Sequence, residues 1–242
     1  MARALAARHL LSPASPEDLK RAAAARAVLL VRDHTIIGLG TGSTVRPLLE
    51  LLAERLTSGA LRGVTGVPTS EDTATRCRAL GIPLTTLDEH PALDLCIDGA
   101  DEIGPRLALI KGLGGALLRE KLVALAARRF VIIADASKRV RRLGTRSPLP
   151  VEVVPFGWTT HLAFFTGLGA EPVRRLAKGG DPYRTDGGHY IVDCRFAKGI
   201  PDPAALARAL DKRPGIVDHG LFLRMADRAF IAGAAGVREL TA

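Results

Sequence analysis

Short apolar runs alternate with segments of helical periodicity along the first half of the chain. Helices are predicted from Pro16, with Ser15 as its cap, from near Ser43, over 70–81, and around Glu120. Apolar strands are predicted over 35–40, 64–67, 83–87, 92–97 and 129–134. This alternation indicates an α/β fold with a mostly parallel sheet and helices on both faces. Ligands of such sheets bind beyond the carboxyl ends of the strands.

The pattern changes near residue 147, where prolines bracket an alternating segment over 147–158. From there to residue 223 the order reads strand, helix, strand, helix, strand, which is typical of a compact α+β unit of the split βαβ kind. A last strand over 228–233 is predicted to return to the first sheet. We therefore expect two domains, 1–146 together with 223–242, and 147–222.

Composition favours a soluble globular protein. Hydrophobic residues make up 47% of the chain and charged residues 24%, yet no apolar run reaches the ~18 residues of a membrane span. The first dozen residues are rich in Ala and Arg, and a frayed or helical extension is favoured there over a transit peptide.

Cys77, Cys96 and Cys194 are odd in number and far apart, so we expect no disulfide framework, no structural metal and a reducing, cytoplasmic location.

The formal net charge of +9 raises nucleic-acid binding as one interpretation, most plausibly through the basic run 137–146. Aromatic residues make up only 4% of the chain, and none lies in that run. A solvated basic face is therefore favoured over a platform for bases, and no nucleic-acid or membrane partner is expected. Positive charge would also attract an anionic small substrate.

The segment GLGTGSTV, residues 38–45, follows a predicted strand and opens a predicted helix. Its backbone N–H groups, with the hydroxyls of Thr41, Ser43 and Thr44, suit an anion such as phosphate. The dinucleotide fingerprint fails because Ser43 stands where a third glycine is needed, and the P-loop pattern fails as well. A tight strand-to-helix turn is the simpler alternative.

The segment DLCIDGADEI, residues 94–103, ends a buried strand with Asp98, Asp101 and Glu102. Carboxylates at the carboxyl end of a strand face the ligand crevice, where they can bind sugar hydroxyls or move protons. A lone Asp would more simply cap a turn. Three acids within five residues favour a site.

Glu120 lies in a helix that we expect to begin near Gly115 or Ala116. The neighbours one turn away, at 116, 117, 123 and 124, are apolar, and Leu118, Leu122 and Leu125 form a second apolar stripe. We expect a helix buried on several sides, with desolvation raising the pKa of Glu120 against the pull of Arg119 and Lys121. The alternative is a surface acid paired with one of those two cations.

Two lysines accompany these segments. Lys111 precedes the glycine-rich turn KGLGGA and could stabilise negative charge on an oxygen, whereas Lys138 follows the strand that ends at Asp135 and could meet a substrate anion. Each could equally be an ordinary exposed lysine.

Taken in order, GLGTGSTV, DGADE, KGLGGALLREK, IADASK and LPVEVVPFGW resemble type A ribose-5-phosphate isomerases over roughly residues 16–235. The resemblance implies a Rossmann-like α/β domain with a smaller α+β, ferredoxin-like domain, usually in a homodimer or homotetramer. It also implies cofactor-free interconversion of D-ribose 5-phosphate and D-ribulose 5-phosphate in the non-oxidative pentose phosphate pathway.

The matching positions supply candidate site residues. Glu120 matches the family's catalytic base, and chemistry adds Asp98, Asp101 and Lys111 as catalytic candidates. The segments matching the family's substrate-binding residues are Thr41, Gly42, Ser43, Thr44, Asp98, Gly99, Ala100, Asp101, Lys111, Gly112, Leu113, Gly114 and Lys138.

One position departs from the family pattern. The family often has three successive glycines after the lysine, whereas Leu113 interrupts them here. If Leu113 intrudes on the sugar, affinity or specificity would differ.

A non-catalytic sugar-phosphate sensor is the alternative function. Glu120 distinguishes the isomerase from the sensor, because a sensor has no need of a base.

Overall fold

The computed structural model describes residues 15–242, and the expectations for the first dozen residues lie outside that part of the chain. Its α-helices are α1 (Pro16–Val28), α2 (Val45–Thr57), α3 (Glu71–Ala79), α4 (Leu117–Ala126), α5 (Thr160–Gly167) and α6 (Pro203–Asp211). Its strands are β1 (Ile36–Leu39), β2 (Thr65–Pro68), β3 (Leu95–Asp98), β4 (Glu102–Ile103), β5 (Leu109–Ile110), β6 (Phe130–Asp135), β7 (Leu149–Val153), β8 (Glu171–Arg174), β9 (Tyr190–Arg195), β10 (Ile216–His219), β11 (Leu221–Phe222), β12 (Arg228–Gly233) and β13 (Gly236–Thr241).

Six strands form the larger sheet in the order β13-β12-β6-β3-β1-β2, and every pairing except that of β12 with β13 is parallel. Strands β3 and β6 are buried along their whole length, as expected for strands covered on both faces. Helices α1 and α2 contribute to the apolar cluster on one face, and α4 contributes to the cluster on the other. The predicted α/β sheet is confirmed.

The order of the parallel strands creates the point at which a ligand site is expected. The chain passes from β1 outward to β2 on one side, and then to β3, β6 and β12 on the other. Loops leaving the carboxyl ends of β1 and β3 therefore diverge and leave a crevice between them. The segment after β1 and Asp101, after β3, meet at this crevice.

A second sheet has the order β10-β7-β9-β8, with all pairings antiparallel. The chain order β7-α5-β8-β9-α6-β10 is that of a split βαβ unit, which confirms the predicted class. Strand β8 was not predicted from the sequence, because its residues alternate between exposed and half-buried positions and it contains Pro172. The domain boundaries at 146/147 and 222/223 stay a prediction, and the apolar cluster at this sheet also includes Ile110 and Leu143.

Three two-residue strands, β4, β5 and β11, form a third, antiparallel sheet that the sequence pattern did not reveal. Segments this short carry no periodicity to read. The sheet matters because Lys111 follows β5 directly, and its N–H donates to the carbonyl of Gly220 at 2.9 Å. This bond fixes the start of the glycine-rich turn.

Three local predictions are corrected. The strand expected over 83–87 is reduced to a single bridge between Leu84 and Gly66. The segment 228–233, expected to be the last strand, is followed by β13, which pairs with it and was not predicted because most of its residues are exposed. Leu122 and Leu125 on α4 are 48% and 67% exposed, so that helix is buried on the Glu120 face alone.

No helix within residues 15–242 combines the length and the apolar character needed to cross a bilayer.

Glu102 is buried but does not line the crevice. Its two carboxylate oxygens accept hydrogen bonds from the backbone N–H groups of Gly144 (2.6 Å), Arg146 (2.7 Å) and Ser147 (2.7 Å). These residues lead into β7, so the carboxylate holds the connection between the two larger sheets. Of the three acids after β3, Glu102 is therefore structural.

We predict that Glu102→Gln lowers the free energy of unfolding by about 2–4 kcal/mol. The amide NH2 of the glutamine cannot accept a hydrogen bond, so a buried backbone N–H would lose its partner. Urea denaturation followed by far-UV circular dichroism measures the change. Glu50→Gln, on the exposed face of α2, is the matched control and should change stability by no more than about 0.5 kcal/mol. Equal stability of the two variants would contradict the structural role of Glu102.

Candidate active site

A cavity of about 530 Å³ opens at the carboxyl ends of the parallel strands. It receives residues from the loops after β1, β3, β6 and β12, from the glycine-rich turn before α4, and from the start of α1. The lining consists of Pro16, Leu19, Lys20, Thr41, Gly42, Ser43, Thr44, Gly99, Ala100, Asp101, Lys111, Gly112, Gly114, Glu120, Asp135, Ala136, Ser137, Lys138, Gly233 and Ala234.

The loop after β1 is tied to the end of β3 by Asp98. The Thr41 N–H donates to Oδ1 of Asp98 at 3.1 Å, and the Gly99 N–H donates to the same oxygen at 2.6 Å. Gly40 permits this approach, because a Cβ there would lie 2.0 Å from that oxygen. The two loops on either side of the crevice are thereby locked together.

The hydroxyl groups of this loop have different partners. Thr41 Oγ1 lies 2.7 Å from Thr69 Oγ1 and 2.8 Å from Ser70 Oγ, in a polar cluster at the start of α3. Thr44 precedes α2 without making a side-chain capping bond, and the first turn of that helix contains no acid. Within residues 15–242, the start of α2 thus presents a positive helix end that neither a capping side chain nor an acid of its own first turn neutralises, as the anion-cradle interpretation requires.

Lys111 is the central cation of the site and is only 2% exposed. Its Nζ donates to the carbonyl of Gly99 at 2.6 Å and lies 2.9 Å from Asp98 Oδ2 and 3.4 Å from Glu120 Oε1. Burial acts to lower the pKa of Lys111, but the two carboxylates outweigh it, so its pKa lies above the ordinary lysine value. Lys111 is charged, and it is not an ordinary exposed lysine.

Glu120 projects from the first turn of α4, where its N–H donates to the carbonyl of Ala116. The side chain is buried, and no hydrogen-bond partner for Oε2 is found in residues 15–242. A buried carboxylate oxygen without a partner in the wall of a cavity is costly unless a ligand or solvent supplies a hydrogen bond.

Burial raises the pKa of Glu120 to about 8, with Lys111 opposing the shift and Asp98 and Asp101 adding to it. The sequence left open whether desolvation or the neighbouring cations would prevail; desolvation prevails, and the opposing cation is Lys111. Arg119 pairs with Glu71 at 2.8 Å and Lys121 pairs with Asp218 at 2.5 Å, so neither cation neutralises Glu120. A carboxyl group with such a pKa can exchange protons near neutral pH.

Asp101 joins the glycine-rich turn to the end of β3. Its Oδ2 accepts from the Leu113 N–H at 2.9 Å, and burial raises the pKa of its carboxyl group. Gly112 and Gly115, at φ 98° and φ 87°, supply the left-handed backbone that bends the turn. Leu113 is not one of these positive-φ positions, so a side chain is tolerated there.

The predicted site residues are therefore brought together, with two exceptions. Asp98 is fully buried beneath the crevice and is not part of the cavity lining, so it contacts Lys111 and the loops rather than the open space. Leu113 directs its side chain away from the lining and is 39% exposed, so it does not narrow the cavity.

Sequence reasoning missed the contribution of α1. Pro16, Leu19 and Lys20 line the cavity, and Lys20 adds a cation whose side chain is 16% exposed, 3.3 Å from Glu17. The one signal available was the spacing of Pro16 and Lys20 on a single helical face. Nothing in that spacing could indicate that the face meets the loops after β1 and β6.

Among residues 15–242, no three His, Cys, Asp or Glu side chains are grouped as metal ligands would be. The three cysteines are free and buried.

These features define an α/β protein with a buried acid-base cluster in a crevice lined by both lysines and carboxylates, a class suited to proton transfer on a small anionic substrate. The family model described as ribose 5-phosphate isomerase A (phosphoriboisomerase A) matches residues 65–236. A ribose-5-phosphate isomerase A from Roseiflexus castenholzii (strain DSM 13941 / HLO8) is 58% identical over 221 residues, covering 91% of this chain and 94% of its own.

Solved structures agree with the sequence matches. A D-ribose-5-phosphate isomerase in complex with phospho-erythronic acid superposes with a TM-score of 0.92 at 35% identity, covering 95% of this chain and all of its own. The ribose 5-phosphate isomerase A of Methanocaldococcus jannaschii gives 0.89 at 38% identity, with 94% and 100% coverage. The chain belongs to the ribose 5-phosphate isomerase A family.

We predict that Glu120→Gln stabilises the protein at high pH. A carboxyl group whose pKa is raised on folding, from 4.5 to about 8, binds its proton more tightly when folded, so stability is greatest below pH 4.5 and falls as pH rises towards 8. Removing the carboxyl group removes this loss, and the variant should exceed the parent by about 2 kcal/mol or more at pH 9.

Urea denaturation at intervals between pH 5 and 9 measures this difference, with Glu54→Gln on the exposed side of α2 as the matched control. A stability difference that stays constant across this range would show that the folded protein does not hold Glu120 in its protonated form.

Proposed function

We propose that the chain is an aldose-ketose isomerase that interconverts D-ribose 5-phosphate and D-ribulose 5-phosphate in the pentose phosphate pathway. The single observation that carries the proposal is the buried, unpartnered Oε2 of Glu120 in the cavity wall beside the Lys111 ammonium. Membership of the family supports the choice of substrate.

The chemistry requires a base that can also act as an acid. An aldose becomes a ketose when a proton leaves C2, an enediolate forms, and a proton is returned to C1. Glu120 in its carboxylate form takes the first proton and in its carboxyl form returns it, and a pKa near the working pH serves both directions. The same residue thus completes the cycle without net change, and because C1 is reduced as C2 is oxidised, the step needs no external oxidant or reductant.

Lys111 supplies the positive charge that an enediolate oxygen needs. Its ammonium faces three oxygen acceptors, and the longest of these contacts, 3.4 Å to Glu120, is the one that a substrate oxygen can replace. A fixed charge in a site closed to water stabilises the developing oxyanion strongly, because it needs no reorganisation. Asp98 holds this lysine in place from beneath.

Asp101 is the candidate for ring opening and for moving hydroxyl protons. It lines the cavity, whereas Asp98, the other candidate, does not. The Leu113 N–H occupies one of its carboxylate oxygens, which leaves the other oxygen to face a sugar hydroxyl.

The phosphate is assigned to the end of the cavity formed by the start of α2 and two lysines. Gly42, Ser43 and Thr44 offer N–H and hydroxyl groups there, and Lys20 and Lys138 line the same cavity. Phosphate binding at such a helix start, with flanking cations, follows ordinary anion recognition.

Three further expectations belong to the proposal. The chain works in the cytoplasm, it assembles as a homodimer or homotetramer, and residues 147–222 form a smaller domain beside the catalytic one. The antiparallel sheet of β7 to β10, with its own helices and apolar cluster, supports the last of these.

We predict that the purified protein converts ribose 5-phosphate to a ketose, and that Glu120→Gln lowers kcat at least about 1,000-fold while the Kd for ribose 5-phosphate stays within about threefold. The amide keeps the shape of the side chain but cannot accept the carbon-bound proton. Ketose absorbance and isothermal titration calorimetry give the two quantities.

Glu71→Gln is a suitable control, because Glu71 is an exposed acid paired with Arg119 outside the cavity. Tight binding of ribose 5-phosphate by the parent without any ketose would indicate a sugar-phosphate sensor instead. Unchanged turnover in Glu120→Gln would remove the mechanism.

We predict that Lys20→Met raises KM for ribose 5-phosphate about tenfold and leaves kcat within about twofold, since a phosphate contact is the same in the ground and transition states. Steady-state kinetics measure both quantities, and Lys212→Met, at the exposed end of α6, is the control. A fall in kcat at constant KM would place Lys20 near the reacting carbons rather than at the phosphate.

A further inference from the structure

A guanidinium group from the smaller sheet contacts the glycine-rich turn without lining the cavity. Arg175 directly follows β8, and its Nη1 donates to the carbonyl oxygens of Gly112 at 3.1 Å and Leu113 at 3.0 Å. Two consecutive peptide groups of the turn are thus held by one cation.

Asp193 on β9 fixes the orientation of that cation. Nε and Nη2 of Arg175 donate to its two carboxylate oxygens at 2.8 and 2.5 Å. A planar fork bound at both oxygens has little rotational freedom, and both side chains are largely buried. Nη1 is therefore directed at the turn, and a lysine could not reproduce this geometry.

The orientation of the carbonyls determines the direction of the N–H groups. In a trans peptide the carbonyl oxygen and the following N–H point in opposite directions. With the Gly112 and Leu113 carbonyls bound to Arg175, the Leu113 N–H reaches Asp101 and the Gly114 N–H is turned away from the guanidinium. The Gly114 N–H makes no hydrogen bond within residues 15–242, and Gly114 lines the cavity.

The turn contains an internal hydrogen bond, from the Gly115 N–H to the Gly112 carbonyl at 2.9 Å, and Arg175 adds an external contact to the same carbonyl. Gly112 and Gly115 adopt positive φ angles, and glycine is the residue with the most conformational freedom to lose on folding. A charged donor on a carbonyl oxygen also polarises that peptide group, which strengthens its N–H as a donor.

We propose that Arg175, held by Asp193, is a positioning residue for the isomerisation. It contacts no substrate, and it sets the direction and strength of the Gly114 N–H, which the turn offers to the sugar oxygen on which negative charge develops. The inference rests on the proposed function and adds to it a role for the smaller sheet in catalysis.

Arg175→Lys tests the proposal, because it keeps the charge and removes the fork. We expect kcat to fall about tenfold, KM for ribose 5-phosphate to stay within about twofold, and affinity for phospho-erythronic acid, whose carboxylate resembles the enediolate, to fall about tenfold. The pH profile of kcat should keep its midpoints, since the Glu120-Lys111 pair is untouched. Arg174→Lys is the matched control, because its guanidinium lies over Trp158, 4.7 Å from the ring centre.

Asp193→Asn provides a second variant. If Asp193 acts through Arg175, the double variant should lose no more kcat than Arg175→Lys alone. Losses that multiply, a change in KM alone, or kinetics of Arg175→Lys equal to those of Arg174→Lys would each overturn the inference.

Hydrogen exchange supplies a readout that does not depend on catalysis. In Arg175→Lys the amides of Leu113 and Gly115, which donate to Asp101 and to the Gly112 carbonyl, should exchange about tenfold faster than in the parent, while those of β3 and β6 keep their protection. Unaltered exchange in the turn would overturn the positioning role even if the protein proved to have a different activity. Absence of isomerase activity in the parent, with faster exchange in the variant, would count against the proposed function alone.

Discussion

The site depends on one buried ammonium group held among carboxylates. Lys111 reaches Asp98 at 2.9 Å and Glu120 at 3.4 Å, and all three side chains are removed from solvent. Two carboxylates and one cation leave an excess of negative charge, and this excess is energetically unfavourable because the groups are removed from water. Protonation of Glu120 relieves it, which is why this carboxyl group, and not one on the surface, is suited to take up and release a proton near neutral pH.

The larger sheet makes this arrangement possible. The reversal of strand order between β1 and β3 separates two loops, and Asp98 rejoins them by accepting the N–H groups of Thr41 and Gly99. The same carboxylate therefore contacts both the loop after β1 and Lys111, and it fixes their relative positions. The small sheet of β4, β5 and β11 sets the start of the glycine-rich turn through the Lys111 N–H.

The smaller sheet reaches the same turn from outside. Arg175 contacts two of its carbonyls, Tyr183 approaches the carbonyl of Gly114 at 3.4 Å, and Asp186 accepts the N–H of Glu71 at the start of α3 at 2.9 Å. A segment far away in sequence thus contacts both the turn and α3, whose Ser70 cap also binds Thr41. The rigidity of the crevice comes from both sheets.

The sequence by itself determined the α/β alternation, the site at the carboxyl ends of the strands, and the identity of its chemical groups. Apolar periodicity and short ordered motifs are local, so Glu120, Lys111, Asp101 and the 41–44 loop could be found without coordinates. The tertiary structure alone decided which groups touch: it placed Asp98 beneath the cavity, committed Glu102 to backbone amides, turned Leu113 outward and added Lys20 and Arg175. Those outcomes depend on contacts between segments distant in the chain, and no local pattern encodes such distances.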